Sequence, residues 1–212
     1  MEVESLPEEQ HRSHPDVLRQ NDDESFGLVK NGALGLKLSP SVLCRKIVCP
    51  AYLAAPFDPE SRLRFLGLHA MAMLQVIKRH IQQGFRLLSV EKYVNGSRID
   101  LEFQKPNGGV RLNEVKSKRE LGEVDKIQAA LYSNGSHNEV VLSNSQRDVM
   151  LSPEYIEEVR QRAEATRTLL LDHADIAARS YKPSHDICRH CANHDCPFLP
   201  GRMALKETVP GA

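Results

Sequence analysis

Asp100 in "RIDLEF", with Glu114 and Lys116 in "NEVKSK", are residues of the right types to act on a phosphodiester. In a strand, positions i and i+2 share a face, so Glu114 and Lys116 point one way and Val115 the other. "KPNGG" between the two segments is a turn signal. A hairpin symmetric about Asn107 pairs Gln104 with Val110 and sets Asp100 opposite Glu114, with their Cβ atoms roughly 5 Å apart. Carboxylates that close repel each other unless they share a cation. With a backbone carbonyl they could hold magnesium or manganese, which polarises a phosphodiester and lowers the pKa of water. Lys116, on the same face, can orient that water or offset the charge developing on phosphorus. Taken alone, the pattern more often describes a ladder of solvated surface charges.

A second constellation brackets the first. Cys49 in "VCPAYL" and Cys188, Cys191 and Cys196 in "ICRHCANHDCPF" form a C-x2-C-x4-C run with a distant fourth thiol. Such a set ligates tetrahedral zinc or an iron–sulfur cluster, and spacing does not choose between them; His190 and His194 inside the loop suit zinc. Cys44 is left over, on the apolar side of a helix, where a buried thiol is the usual case. An odd number of cysteines without a secretion signal argues against a disulfide framework.

Several elements have to position these groups. Residues 1–30 carry Glu2, Glu4, Glu8, Glu9, Asp16, Asp22, Asp23 and Glu24 against few bases, and lack either apolar period. They read as a disordered acidic tail. Ser39 and Pro40 start a short helix that runs into Cys49. Arg62 to Gln83 reads as a long helix ended by Gly84. "RLLSVEKYVNG" forms a strand ahead of the hairpin, "GEVDKIQAALYSN" a helix with Val124, Ile127 and Leu131 on one stripe, and "NEVVLSNS" a further strand. Ser152 and Pro153 open a long charged helix, the cysteine-bearing segment reads as a loop, and residues 201–212 are a tail. The expected fold class is α/β, a mixed central sheet flanked by helices, with one domain over residues 31–200.

The formal charge is +0, with 28 bases and 28 acids. Because the tail is acidic, the remainder is net basic. From Ser61 to Val90 there is no acid, while Arg62, Arg64, Lys78, Arg79 and Arg86 accumulate, which suits a phosphate-facing surface. No stretch has the roughly 18 apolar residues a membrane span needs, so a cytoplasmic protein with no membrane partner is expected.

Gln128 and Tyr132, four residues apart in "QAALY", share a helix face. With them the ordered motifs resemble the RecB-like branch of the PD-(D/E)xK nucleases, which run His, Asp, E-x-K and Q-x-x-x-Y. Here these are His69 in "GLHAMAM", Asp100, Glu114 with Lys116, and Gln128 with Tyr132; His80 on the same helix fits the first motif less well. The resemblance implies that His69, Asp100, Glu114 and the backbone carbonyl of Val115 hold Mn2+ or Mg2+. It makes Asp100, Glu114 and Lys116 catalytic, and Gln128 and Tyr132 DNA-positioning.

The Cys-Pro at Cys49 and the three late cysteines resemble the CRISPR-associated exonucleases of that branch, over residues from about Ser39 to Phe198. This implies an iron–sulfur cluster on Cys49, Cys188, Cys191 and Cys196, 4Fe-4S favoured and 2Fe-2S the alternative, in a small cap beside the nuclease core. The implied activity is a metal-dependent exonuclease on single-stranded DNA or DNA ends, trimming prespacers alongside CRISPR integrase proteins. No Walker-type phosphate loop is present, so unwinding would fall to a separate helicase. The alternatives are a nonenzymatic cluster-bearing protein that binds DNA ends, and a structure-specific endonuclease of the same superfamily.

Overall fold

The computed structural model describes residues 38–50, 52–53, 58–94, 97–133, 139–172, 185–188, 191–192 and 196. Both expected tails lie outside these residues. Helix α1 spans Pro40–Val48, with Ser39 as N-cap and Pro40 opening the first turn, where its missing N–H is of no consequence. Helix α2 spans Pro59–Gln82. It begins three residues before the expected Arg62, because Asp58 accepts the Ser61 N–H at 2.9 Å and Pro59 is preset for a first turn. Gly84, at φ 83°, ends it as expected.

Strands β1 (Arg86–Val94), β2 (Ser97–Gln104) and β3 (Val110–Lys116) form an antiparallel meander. Helix α3 (Glu123–Leu131) then crosses over to β4 (Glu139–Asn144), which pairs with β3 in parallel. Strand β5 (Asp148–Met150) turns back antiparallel on β4. The result is a mixed five-stranded sheet in the order β1-β2-β3-β4-β5. Strand β5 was not expected: with three residues it is too short to display an alternation. Helix α4 (Pro153–Asp172) follows, its N-cap Ser152 accepting the Tyr155 N–H. Its expected continuation through residues 173–180 lies outside the described residues. In the cysteine-bearing segment, read as loop, His185–Cys188 forms a helical turn, α5.

Two cores lie on the two faces of the sheet. Ala72 and Val76 of α2 pack on Leu101, Phe103 and Val115. On the opposite face, α1, α3 and α4 bury Leu43, Cys44, Ile47, Ile127, Val159 and Ala163 against Val140 and Leu142. Helices therefore flank both sides, the α/β arrangement expected. Among the described residues no helix is long and apolar enough to cross a membrane.

Candidate active site

The hairpin register is the one the turn predicts: Gln104 pairs with Val110 and Leu101 with Asn113. There the β2–β3 ladder stops. The next position is bridged by a side chain, since Asp100 Oδ2 accepts the backbone N–H of Val115 at 2.7 Å. Asp100 thus stands beside Glu114 without the backbone pairing expected between them. Asp100 Oδ1 lies 3.3 Å from His69 Nε2 on α2.

Glu114 and Lys116 project from β3 toward the α3 side. Their parallel partners Leu142 and Asn144 follow the same alternation, and Leu142 belongs to the core packed by α3. Lys116 Nζ donates to Glu114 Oε1 at 2.5 Å and to Gln128 Oε1 at 2.8 Å. Gln128 Nε2 in turn donates to the Tyr132 hydroxyl at 3.3 Å, across one turn at the end of α3. The six side chains singled out for the site fall into two bonded groups that stand side by side, His69 with Asp100 and a chain of Glu114, Lys116, Gln128 and Tyr132.

Burial makes this chain electrostatically tense. Glu114 is 4% exposed, and its buried Oε2 has no hydrogen-bond partner among the described residues. Burial, opposed by Lys116 and reinforced by Asp100, pushes its carboxyl up to about 7. Burial works to discharge Lys116, but Glu114, Asp125 and Asp100 together outweigh it and hold the ammonium charged above its usual range. The hydrogen bond to Asp100 raises the pKa of His69 against its own burial. Burial next to Glu114 keeps the Tyr132 phenol protonated well beyond its ordinary pKa.

Asp125 was not singled out by the sequence. It is 6% exposed, accepts the Gly122 N–H at 2.8 Å, pairs with Lys118 Nζ at 2.7 Å, and adds negative charge behind Lys116. An acid three residues past an N-cap was the available signal, and it reads as simple capping. His80, the weaker histidine, is fully buried, stacks on Phe103 at 4.6 Å and lies 3.8 Å from Asp148 Oδ2. Arg79, counted among phosphate-facing bases, is instead paired with Asp148.

Comparisons of the chain with protein-family models, with curated proteins and with solved structures return no match.

Among the described residues, no group of three or more His, Cys, Asp or Glu side chains stands ready to hold a metal ion. At the nuclease-like site the donors are turned on each other: His69 bonds Asp100, and Lys116 covers one oxygen of Glu114. The feature that suits a hard divalent cation is the uncovered buried Glu114 Oε2, an oxygen that no group among the described residues satisfies.

The cysteines are partly brought together. Cys49 is the C-cap of α1, and the Ala192 N–H donates to Leu53 O at 2.8 Å, tying the Cys191 segment to the chain just after Cys49. The Cys191 N–H donates to Cys188 O at 3.2 Å. Lys46 donates to Pro50 O and feels both Cys49 and Cys191, which partly offset the lowering of its pKa by burial. Cys44 is fully buried, donates to Ser41 O, and has its thiol pushed up to about 11 by burial. That is the environment expected of the spare cysteine.

Proposed function

We propose that this chain is a metal-dependent deoxyribonuclease with a PD-(D/E)xK-type core, acting as an exonuclease on single-stranded DNA or DNA ends. The observation that carries the reading is Glu114: a buried carboxylate with an oxygen unsatisfied among the described residues, beside a second carboxylate and a half-buried lysine. A buried charged oxygen without a partner is costly, and a bound ion is one way a fold offsets that cost.

His69, Asp100, Glu114 and the Val115 carbonyl would hold Mn2+ or Mg2+. The bound ion supplies Lewis acidity toward the phosphate and a lowered pKa for water. Asp100, pinned by the Val115 N–H, keeps its orientation. Lys116, held charged, offsets negative charge developing on the phosphoryl oxygens. Gln128 Oε1 fixes the lysine by accepting a hydrogen bond from its ammonium, and the Gln128 amide N–H fixes the Tyr132 hydroxyl, which stays protonated as a donor for the DNA backbone.

Beside this core, Cys49, Cys188, Cys191 and Cys196 would carry an iron–sulfur cluster, 4Fe-4S favoured over 2Fe-2S. The bond between Ala192 and Leu53 supports it, because it draws both ends of the cysteine set to one place. Prespacer trimming in CRISPR adaptation is the setting this combination suggests. A binding-only role at DNA ends is the competing reading, favoured by the lack of a three-donor group among the described residues.

Lys116→Ala separates the two. Purified wild type with Mn2+ should degrade end-labelled single-stranded DNA, and the variant should lose about 10²-fold or more in rate while keeping its fold. Intact DNA with wild type, under conditions where it binds that DNA, would decide for binding only. Circular single strands, degraded as fast as linear ones, would point to the endonuclease.

A further inference from the structure

Beyond β3 and β4 the chain forms two loops, residues 117–122 leading to α3 and residues 145–147 leading to β5. Asn144, fully buried at the end of β4 and the register partner of Lys116, joins them. Its Nδ2 donates to Arg119 O at 2.8 Å and Lys118 O at 3.3 Å, and its Oδ1 accepts the N–H groups of Gln146 and Arg147, both at 2.9 Å. A carboxamide has two donor hydrogens and two acceptor lone pairs, and here all four are engaged by backbone. From α2, Arg79 donates to Asn144 O and Ser145 O. Both loops are held by their main chains, and none of this uses the side chains of Arg119, Gln146 and Arg147.

Those three side chains, with exposed Glu120 and half-buried Leu121, line an open cleft of about 460 Å³. That volume lies within the ~300–1,000 Å³ usual for a ligand site. Among the described residues neither the Arg119 nor the Arg147 guanidinium has a hydrogen bond or ion pair, whereas Arg79, Lys116 and Lys118 are each paired with a carboxylate. Glu120 is paired with neither arginine, and the other acids close by, Asp125 and Asp148, are held by Lys118 and Arg79. Two free cations thus face one acid. The cleft opens at the carboxyl ends of the parallel strands β3 and β4, the end of an α/β sheet where ligands bind. Arg119 follows Lys116 by three residues, at most about 10 Å of chain.

We propose that this cleft is a phosphate subsite for the DNA strand, in which Arg119 and Arg147 hold a backbone phosphate a short way along from the one attacked beside Glu114. It rests on the nuclease reading above and extends its substrate contacts to a second place. Planar guanidinium forks match phosphate oxygens, and the Gln146 amide can donate to the same group. A phosphodiester is identical at every nucleotide, so such a subsite holds a strand of any sequence. Inorganic phosphate offers the same oxygens, and the experiment has an arm for it.

The full chain is tested without divalent ion, so that DNA is bound and not cut, and binding of a fluorescent oligothymidylate is read by anisotropy over a salt series. Arg119→Ala combined with Arg147→Ala should weaken binding about tenfold near 0.1 M salt and flatten the salt slope by roughly 0.7, the share of one phosphate on a single strand. Glu120→Gln should tighten binding. Melting temperature should stay in place for both, because these side chains bond nothing among the described residues. Unchanged DNA affinity in the double variant, or a loss with the salt slope intact, would overturn the subsite and leave the nuclease reading standing. So would inorganic phosphate bound by wild type and lost by the double variant while DNA affinity holds. Loss of affinity and slope together, with a wild type that degrades no DNA in Mn2+, would support the subsite and overturn the nuclease reading. Failure of wild type to bind any DNA, with or without Mn2+, would overturn both.

Discussion

Helix α2 sends a histidine into each of two buried polar clusters, and they differ in whether every charge is answered. His80, three turns after His69, lies between Phe103 and Phe85. Arg111 donates to its Nε2, so its Nδ1 carries the proton given to Val76 O. Arg111 also reaches Glu139 and lies over the Phe85 ring, while Asp148 accepts from Arg79 and Ser143. Around His80 opposite charges are paired. Around His69, two carboxylates and one lysine lie close together, and among the described residues Glu114 Oε2 has no partner. The first arrangement welds α2 to β3, β4 and β5. In the second, Glu114 is desolvated with one oxygen left without a partner among the described residues, and its carboxyl is driven toward the protonated form.

The largest effect that tests this contrast is on rate. Lys116→Ala should cost about 10²-fold or more in DNA degradation, and Asp148→Asn should leave the rate per folded molecule within about twofold. Equal losses would erase the distinction. Next comes packing: Phe103→Ala removes the ring under His80 and should lower unfolding free energy by about 3–5 kcal/mol in a urea titration. Loss of under 1 kcal/mol would mean that the His80 cluster does not brace the sheet.

The third contrast is in sign. Glu114, raised from 4.5 to about 7 chiefly by burial, holds a proton in the folded state that the unfolded chain releases, so its contribution falls as pH rises from about 4.5 to about 7. Burial opposes the ionisation of Asp148, but its bonds to Arg79 and Ser143 prevail and depress its pKa below 3.8; its contribution is therefore present above that value and lost as pH falls. Burial likewise keeps His80 neutral below its usual 6.5, so acid costs stability there too.

Without divalent ions, Glu114→Gln should gain on wild type by roughly 1–3 kcal/mol between pH 5 and pH 7. Asp148→Asn should lose about 1–2 kcal/mol at pH 7 and less at pH 3. A pH-independent gap for Glu114→Gln would show that its carboxylate is not strained. The smallest effect concerns the cysteines: Cys44→Ala should cost about 1 kcal/mol and no iron, whereas Cys49→Ala should bleach protein purified without oxygen. Colourless wild type with one zinc per chain would overturn the cluster.

Much of this was legible before the structure. Asn107-Gly108 fixes the hairpin register, with Gly108 at φ 88°, because a tight turn leaves no freedom to slip. Gly84, Ser152 and Pro40 mark helix ends through local geometry. Strand β5 was not legible, since its three residues are held by pairing with β4. The roles of Arg79 and His80 were hidden for the same reason: their partners, Asp148 and Arg111, come from distant strands.

By itself the sequence determined the local matters: which residues share a strand or helix face, where the hairpin turns, and that Asp100, Glu114 and Lys116 must come together. These follow from chain stereochemistry and need no distant partner. The motif already favoured His69 over His80; only the tertiary structure decided that the ladder stops where the Asp100 side chain takes over, and that one Glu114 oxygen is left without a partner among the described residues. Those depend on burial and on how layers close over one another, which desolvates a carboxylate and sets its charge against its neighbours.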